Sequence, residues 1–435
     1  MAAKKHKKIQ DYDRAYSILR HYVDFALRAS YRTIKYVGTE NLPKDGAIIF
    51  APNHTNALMD ALVILAMDNR PKVFVARADI FRNPMLAKIF RFLKIMPIMR
   101  MRDGLDEVRR NNETIEKAVD VLRDKVPFCI FPEGKHRPMH SLQVLGKGVF
   151  RAALQANSTF GNEMPVYIVP VGIEYGDYFR YRSTALVTYG KAINVTELAN
   201  KLEVENEAQL MEPLRKELAE GIQGLITYIK DDEDYASKWE LTKIRALGFK
   251  GTLHEKMLHN REIVADIERK IIENPEKMAG LLDKVSEFEK KRKRKGISIY
   301  SFGKKNLGLN VIGKSLLAIL GLPYFIFSAI VALPLWGISA FLKTKIKDKA
   351  FRNTAAFGTY LAGELIFGLI WTVLAFCLAP WPYALAFVAL MLTTYPYFND
   401  YLEFMRRLIS DCRLLGNKKL RKTFKSFRQK IKTKN

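Results

Sequence analysis

Two apolar stretches near the C-terminus, residues 313–342 and 355–398, most limit what this chain can fold into. Each is long enough to bury its backbone in hydrocarbon, where a helix satisfies every peptide group internally. The second breaks at Ala379-Pro380-Trp381-Pro382, leaving roughly 24 residues before and about 16 after, enough to cross and return. Trp371, Trp381 and Tyr383 suit the membrane–water interface. The first stretch contains Leu322-Pro323 and Leu333-Pro334, so it is either one long span or a proline-broken re-entrant hairpin. Its flanks help to choose. Segments 290–305, 343–352 and 418–434 are all basic, and the positive-inside rule wants all three on the cytoplasmic face. That predicts a re-entrant or in-plane 313–342 and a true hairpin at 355–398.

The same basicity runs through the whole chain. Lys and Arg number 71 against 45 acids, a net charge of +26, which implies an anionic partner. No nucleic-acid-binding module has its signature here, and the apolar C-terminus favours a phospholipid membrane with anionic lipid over nucleic acid. Lys290-Lys291-Arg292-Lys293-Arg294-Lys295 lies just before the apolar region, where basic side chains are each worth about 1 kcal/mol at an anionic surface. At the other end, Tyr16, Leu19, Tyr22, Val23, Leu27 and Tyr31 recur at helical spacing among arginines. They predict a helix over 10–34 that either lies on lipid or packs into a core. The N-terminal lysines are followed by Asp11 and Asp13 rather than an apolar run, so no cleavable signal is expected. Cys129, Cys377 and Cys412 are too dispersed for a metal or redox motif and read as thiols of a reducing compartment.

Between these ends the pattern alternates short apolar runs with helical periodicity. Runs at 34–37, 47–51, 73–76, 95–99, 128–131 and 166–171 read as strands, and helices follow Asp60, cover 106–123 and cover 148–156. This predicts an α/β domain with a mostly parallel central sheet flanked by helices. A helical region and a C-terminal membrane-embedded helical segment follow it. The expected divisions are an N-terminal amphipathic helix (1–34), a catalytic domain (35–195), a charged helical linker or insertion (196–305), membrane-embedded helices (306–405) and a basic cytoplasmic tail (406–435).

In an α/β sheet, ligands sit beyond the C-terminal ends of the strands, and three motifs fall there. Pro52-Asn53-His54-Thr55-Asn56 follows a buried run and is joined by Asp60. A His–Asp pair can deprotonate a hydroxyl, since the carboxylate fixes the imidazole tautomer and stabilises the imidazolium. No Ser or Cys nucleophile accompanies it, so the hydroxyl would be the substrate's own. Arg100 and Arg102 follow the run at 95–99, and Phe131-Pro132-Glu133-Gly134-Lys135-His136-Arg137 ends the run at 128–131. Arginine, lysine and turn amides suit a phosphate. Lys135, Arg137 and Lys147 join that set by charge and position. His254 and His259 are spaced i,i+5, which does not put both on one helix face, and His136 and His140 have no evident third ligand, so no metal site is expected.

Asn53-His54 with a downstream Asp, the arginine motif, Phe-Pro-Glu-Gly and Ile168-Val169-Pro170-Val171 occur in the order of the four blocks of the glycerolipid (lysophospholipid) acyltransferase superfamily, which residues 33–195 resemble. Gly38-Thr39-Glu40-Asn41-Leu42-Pro43 is also similar to that family. The resemblance implies acyl transfer from a thioester, acyl-CoA or acyl carrier protein, to a lyso-lipid or glycerol 3-phosphate acceptor, with no metal or other cofactor. It makes His54 the general base and Asp60 its partner. Arg100 would contact the acceptor phosphate, with Asn53 and Arg102 in the same substrate-binding set. Glu133 and Gly134 would shape the acceptor site, and Pro170 would belong to the pocket. Two features depart from the pattern. The spacing is His-x5-Asp rather than His-x4-Asp, with Met59 at the usual acid position. Six residues of regular helix would rotate Asp60 about 240° from His54, so His54 should precede the helix or the first turn must be irregular. Phe-Pro-Glu-Gly is also followed by Lys135-His136-Arg137 rather than Thr-Arg-Ser, which leaves open a different lyso-lipid head group. A non-catalytic membrane-binding scaffold is the alternative outside enzymes.

Overall fold

The computed structural model describes residues 7–98, 105–202 and 207–432. The chain forms two compact units, Met1–Ile226 with Asp348–Thr354, and Thr227–Lys347 with Ala355–Asn435.

The first unit begins with α1 (Arg14–Ser30), whose first turn is capped by Asp13 accepting from the Tyr16 N–H at 2.9 Å. Then come β1 (Tyr31–Val37), β2 (Ala47–Pro52), α2 (Leu58–Leu65), β3 (Val73–Arg77), α3 (Pro84–Phe92), β4 (Ile95–Ile98), α4 (Leu105–Arg123), β5 (Phe128–Cys129) and α5 (Gly148–Phe160). β6 (Val166–Tyr175), β7 (Ser183–Tyr189), β8 (Ile193–Asn194), α6 (Val195–Leu202) and α7 (Glu207–Gly224) complete it. The strands make one sheet in the order β1-β7-β6-β2-β5-β3-β4, with β8 on β6. The central pairs β6–β2, β2–β5, β5–β3 and β3–β4 are all parallel, and only β6–β7 and β6–β8 are antiparallel. The fold is the mostly parallel, helix-flanked sheet that the strand–helix alternation predicts.

β2 (Ala-Ile-Ile-Phe-Ala-Pro) is the central strand because it is apolar on both faces. Ile49, Phe50 and Ala51 are buried, as are Val149, Phe150 and Ala153 of α5 and Val121 and Leu122 of α4, the two helices that pack against β2. Because β2, β5, β3 and β4 run the same way, their C-terminal ends share one edge. The chain emerges there towards His54 and towards Glu133.

The first unit extends past the expected limit at 195. Leu214, Leu218 and Ile222 of α7 are buried, and Gly221 lies so close to Pro170 that a Cβ would meet its ring at 2.9 Å. The periodicity of α7 reads as helix from the sequence, but which sheet face it covers is a long-range matter.

In the second unit, α8 (Tyr235–Arg245), α9 (Leu253–Glu273) and α10 (Pro275–Arg294) share a core with the end of α13 (Trp381–Leu415) and with α14 (Lys418–Lys432). Leu241, Ile267, Leu282, Val285, Phe288, Leu414, Leu420 and Phe424 build it. Residues from about 235 to 294 thus form a packed helical layer, and the basic tail docks an apolar stripe into it. Glu255, beside His254, closes a capping box with Thr252 at the start of α9.

α11 (Leu307–Lys345) and α12 (Lys349–Leu378, whose residues to Thr354 belong to the first unit) are each long and apolar enough to cross a membrane. Leu316, Leu320, Ile330, Leu365, Leu369 and Val373 are exposed on them, a pattern that points to membrane association. The expected re-entrant break in 313–342 is absent. α11 runs unbroken through Pro323 and Pro334. The two prolines are eleven residues apart, about three turns, so their missing N–H groups fall on one face and the other faces keep the helix continuous. α11 and α13 interlock through Tyr401 and Tyr397, whose hydroxyls donate to the Ala318 and Gly321 carbonyls at 2.8 and 2.9 Å.

Candidate active site

The residue after β2 settles how the site is built. Asn53 is buried and continues the strand with its side chain: its Oδ1 accepts from the Ile173 N–H at 2.7 Å and its Nδ2 donates to the Ile173 carbonyl at 3.1 Å. Both functions of the amide are consumed in holding β2 to β6. Asn53 therefore aims the next residue, its carbonyl and one amide N–H being held by the backbone of β6.

That next residue is His54. Its Nδ1 lies 2.8 Å from Oδ2 of Asp60. Asp60 is 0% exposed and His54 16%. The same Oδ2 accepts the Thr55 and Asn56 N–H groups, each at 2.7 Å, and Oδ1 accepts the Tyr175 hydroxyl at 2.8 Å. Burial and the Asp60 charge raise the Tyr175 phenol well above its ordinary value, which keeps it a donor. With every one of these partners donating, Asp60 accepts from His54 as well. That fixes the proton on Nδ1 and leaves Nε2 with its lone pair. Tyr175 was not among the sequence candidates. It ends a strand run like any other, and only pairing of β6 with β2 brings it near the turn.

The extra residue between His54 and Asp60 is absorbed at Ala57. His54 precedes α2, Asp60 sits in its first turn, and Ala57 between them has φ +48° and ψ −126°. This left-handed backbone normally belongs to glycine and costs about 1–3 kcal/mol. It folds the turn so that Asp60 faces back along the chain rather than about 240° away. No side chain caps α2. The Asp60 carboxylate instead takes the two N–H groups of the preceding turn.

The loop after β5 braces the same histidine from the other side. The His54 N–H donates to Oε1 of Glu133 at 2.7 Å, while Oε2 accepts from the N–H and Nε2 of Gln143 at 3.0 and 2.9 Å. Burial pushes the Glu133 carboxyl up, opposed by these donors. Both oxygens are engaged, so Glu133 positions the base and shapes the site only through it. The His54 carbonyl accepts the Arg137 N–H at 3.0 Å, and Phe131 stacks on the imidazole with centroids 4.2 Å apart. Gly134 has φ +64° and closes a turn onto the Phe131 carbonyl at 3.1 Å, a conformation a side chain would strain. Arg137 bonds Ser141 through Nη2 at 3.0 Å. Lys135 and Lys147 are exposed, the latter at the start of α5.

Pro170 is set apart from this group. It is buried in the middle of β6 opposite Ala51, with its ring against Gly221, at the contact of sheet and α7. Arg100 and Arg102 lie outside the described residues. The two loop histidines take different carboxylates: His140 Nδ1 is 3.4 Å from Glu174, and His136 Nε2 is 2.9 Å from Asp348. Among the described residues, no three His, Cys, Asp or Glu side chains are arranged to hold a metal.

Residues 348–354 are a part of the site that local sequence reasoning missed. Besides the Asp348–His136 pair, Phe351 packs edge-on against the His136 ring at 5.3 Å. Asn353 donates to Oδ1 of Asn56 at 3.1 Å and to the Tyr178 carbonyl at 3.2 Å. In sequence these residues are only a basic turn between apolar stretches.

A buried carboxylate and an oriented imidazole with a free Nε2 can remove a proton from a bound hydroxyl. Against known proteins, residues 33–174 match the family model described as Acyltransferase. A 1-acyl-sn-glycerol-3-phosphate acyltransferase of Borreliella burgdorferi is 25% identical over 145 residues, which is 33% of this chain and 56% of that protein. The crystal structure of the 1-acyl-sn-glycerophosphate (LPA) acyltransferase PlsC from Thermotoga maritima aligns with 49% of this chain and 83% of its own, at 18% identity and a TM-score of 0.35. The segment 33–174, which carries His54, Asp60 and the Phe-Pro-Glu-Gly turn, is thus a domain of the Acyltransferase family model, similar to the glycerolipid acyltransferase superfamily.

Proposed function

We propose that the chain is a membrane-bound O-acyltransferase that moves an acyl group from a thioester donor, acyl-CoA or acyl carrier protein, to glycerol 3-phosphate or 1-acylglycerol 3-phosphate. The observation that carries this reading is the Asp60 carboxylate accepting from His54 Nδ1 inside a superfamily domain. His54 Nε2 takes the proton of the acceptor hydroxyl as its oxygen attacks the thioester carbonyl carbon. The tetrahedral intermediate collapses, the carbon–sulfur bond breaks, and the imidazolium returns the proton to the departing thiolate. Asp60 stabilises the imidazolium between the two steps. The scheme balances without a metal, a prosthetic group or an acyl-enzyme.

The acceptor phosphate needs cationic partners, for which Arg100, Arg102, Lys135, Arg137 and Lys147 are proposed by charge and position. The apolar helices and the net charge of +26 fit a site working at an anionic bilayer, with the catalytic unit and the basic tail on the cytoplasmic face. Lys135-His136-Arg137, where the family has Thr-Arg-Ser, favours a second reading in which the acceptor carries another head group.

The test is purified protein with labelled acyl-CoA and acyl carrier protein against a panel of lyso-acceptors, products read by mass. Ester formation on a glycerol phosphate, abolished in His54→Ala while expression and membrane association persist, is the expected result. Retained turnover in His54→Ala would remove the catalytic assignment, and no transfer to any acceptor would favour the scaffold.

A further inference from the structure

We propose that Asp348–Thr354 forms the acceptor-side wall of the catalytic centre, with Asp348 and Asn353 as positioning residues acting through His136 and Asn56. The proposal rests on the acyl-transfer reading above and deepens it.

Seven residues make three separate kinds of contact with the histidine-bearing loops. Asp348 is fixed at both oxygens: Oδ1 accepts the Ala350 N–H at 2.8 Å at the start of α12, and Oδ2 takes His136 Nε2 at 2.9 Å. Phe351 holds the His136 ring edge-on. That ring in turn stands 5.5 Å from the His54 ring, at 80° to it. Asn353 secures the Asn56 side chain, and the Asn56 N–H is one of the donors to Asp60. Two chains of contacts therefore converge on the base, Asp348–His136–His54 and Asn353–Asn56–Asp60–His54.

Magnitude separates orientation from stability here. The Asp348 side chain is 49% exposed, and ion pairs that open to water stabilise a fold little. What the pair does supply is a fixed direction for an imidazole beside the catalytic one. His136 belongs to the segment that follows Phe-Pro-Glu-Gly, where this chain departs from the family and where acceptor recognition is proposed. A wall built by residues some 200 positions away along the chain ties that recognition to the turn that opens α12.

The experiment compares Asp348→Ala, Asp348→Asn and Asn353→Ala with wild type in the full chain. It reads steady-state kinetics for donor and acceptor, the thermal midpoint, and the rate at which diethyl pyrocarbonate modifies His136, followed by peptide mass spectrometry. Asp348→Ala should raise the acceptor KM about tenfold, the effect of one lost hydrogen bond to a charged group, with donor KM and thermal midpoint unchanged. Asp348→Asn keeps an oxygen for Nε2–H and should return within about threefold of wild type. His136 should be modified several-fold faster in Asp348→Ala, and Asn353→Ala should lower kcat instead. Unchanged His136 modification overturns the wall, as does faster modification with an unchanged acceptor KM, or Asn and Ala variants that behave alike with a lowered midpoint. A wild-type protein that transfers no acyl group overturns the functional reading and the positioning role with it. That failure is told apart by His136 remaining protected by Asp348.

Discussion

Asp60 reaches back 2.8 Å to His54 Nδ1 across a turn in which Ala57 holds φ +48°. The carboxylate is the hub of the turn as well as the partner of the base, because it also accepts the Thr55 and Asn56 N–H groups and the Tyr175 hydroxyl. One side chain therefore sets backbone path, tautomer and charge stabilisation together.

Asp60→Asn separates these roles. Asn keeps the volume and one acceptor, but its amide nitrogen must face at least one donor. His54 then adopts the other tautomer, with Nδ1 accepting and Nε2 protonated, and can no longer take a proton there. Acyl transfer should fall by about 10³–10⁴-fold, the scale seen when a buried triad aspartate is neutralised. Asp60→Ala should lose more, with a lowered thermal midpoint, because two turn N–H groups lose their acceptor. Steady-state rates with thermal unfolding of both variants check this. Near-wild-type rates in both would remove Asp60 from the proton chemistry.

Ala57→Gly tests the turn itself. Glycine relieves about 1–3 kcal/mol of left-handed strain and costs about 0.5–1 kcal/mol in unfolded-chain entropy, so the variant should be as stable as wild type or more so. Ala57→Val, β-branched at positive φ, should be destabilised and should lose activity as His54 and Asp60 part. The thermal midpoints of the pair, read beside acyl transfer, give the ordering Gly, Ala, Val. Any other ordering means the turn is not strained at this residue.

How far these features could be read in advance depends on whether they are local. β2, α2 and the His54–Asp60 pairing follow from an apolar run, a turn and a helical period, all between Ala47 and Leu65. The irregular first turn was foreseeable from the His-x5-Asp spacing, because a regular helix could not close it. Tyr175 and Asp348 were not foreseeable in that way. Their roles come from sheet order and from a return of the chain hundreds of residues later, which leave no periodicity. Asn53 and Pro170 illustrate a related point: a motif marks the neighbourhood of a site, and only strand pairing shows which of its residues hold the sheet. In 313–342 the prolines suggested a break, but two of them three turns apart weaken only one face of a helix.

Glu133 offers a prediction with opposite signs for activity and stability. As carboxylate it accepts the His54 and Gln143 N–H groups at once, whereas Gln has one acceptor oxygen. Glu133→Gln should lose about 10–100-fold in kcat, the scale of one hydrogen bond to a charged group expressed in positioning. Stability runs the other way with pH. Burial raises the folded-state pKa of Glu133, so its favourable contribution is complete below the unfolded value of about 4.3 and is lost as pH rises through the folded value. The thermal midpoint of wild type minus that of Glu133→Gln should therefore fall as pH rises from about 4, then level. A difference that grows with pH would mean that the donors outweigh burial.

The second unit has its own buried ion pair, and its expected behaviour follows from burial rather than from charge. Glu240 is fully buried on α8 and accepts from Nε and Nη2 of Arg292 on α10, both at 2.6 Å, with Lys243 beside it. Against the cost of burial, Arg292 and Lys243 hold the Glu240 carboxyl below its usual range. Removing one partner strands the other's charge in the core, so Glu240→Ala should destabilise the unit by about 3–5 kcal/mol. Replacing both, Glu240→Leu with Arg292→Met, strands neither, and Lys243 keeps the Glu289 charge near it, so the double variant should lie within about 1 kcal/mol of wild type or above it. Amide hydrogen exchange reports both outcomes locally. In Glu240→Ala the amides of α8 and α10 should exchange faster while those of β2 keep their protection. In the double variant all three should exchange as in wild type. A double variant as labile as Glu240→Ala would show that the pair contributes net stability of its own, beyond avoiding a stranded charge.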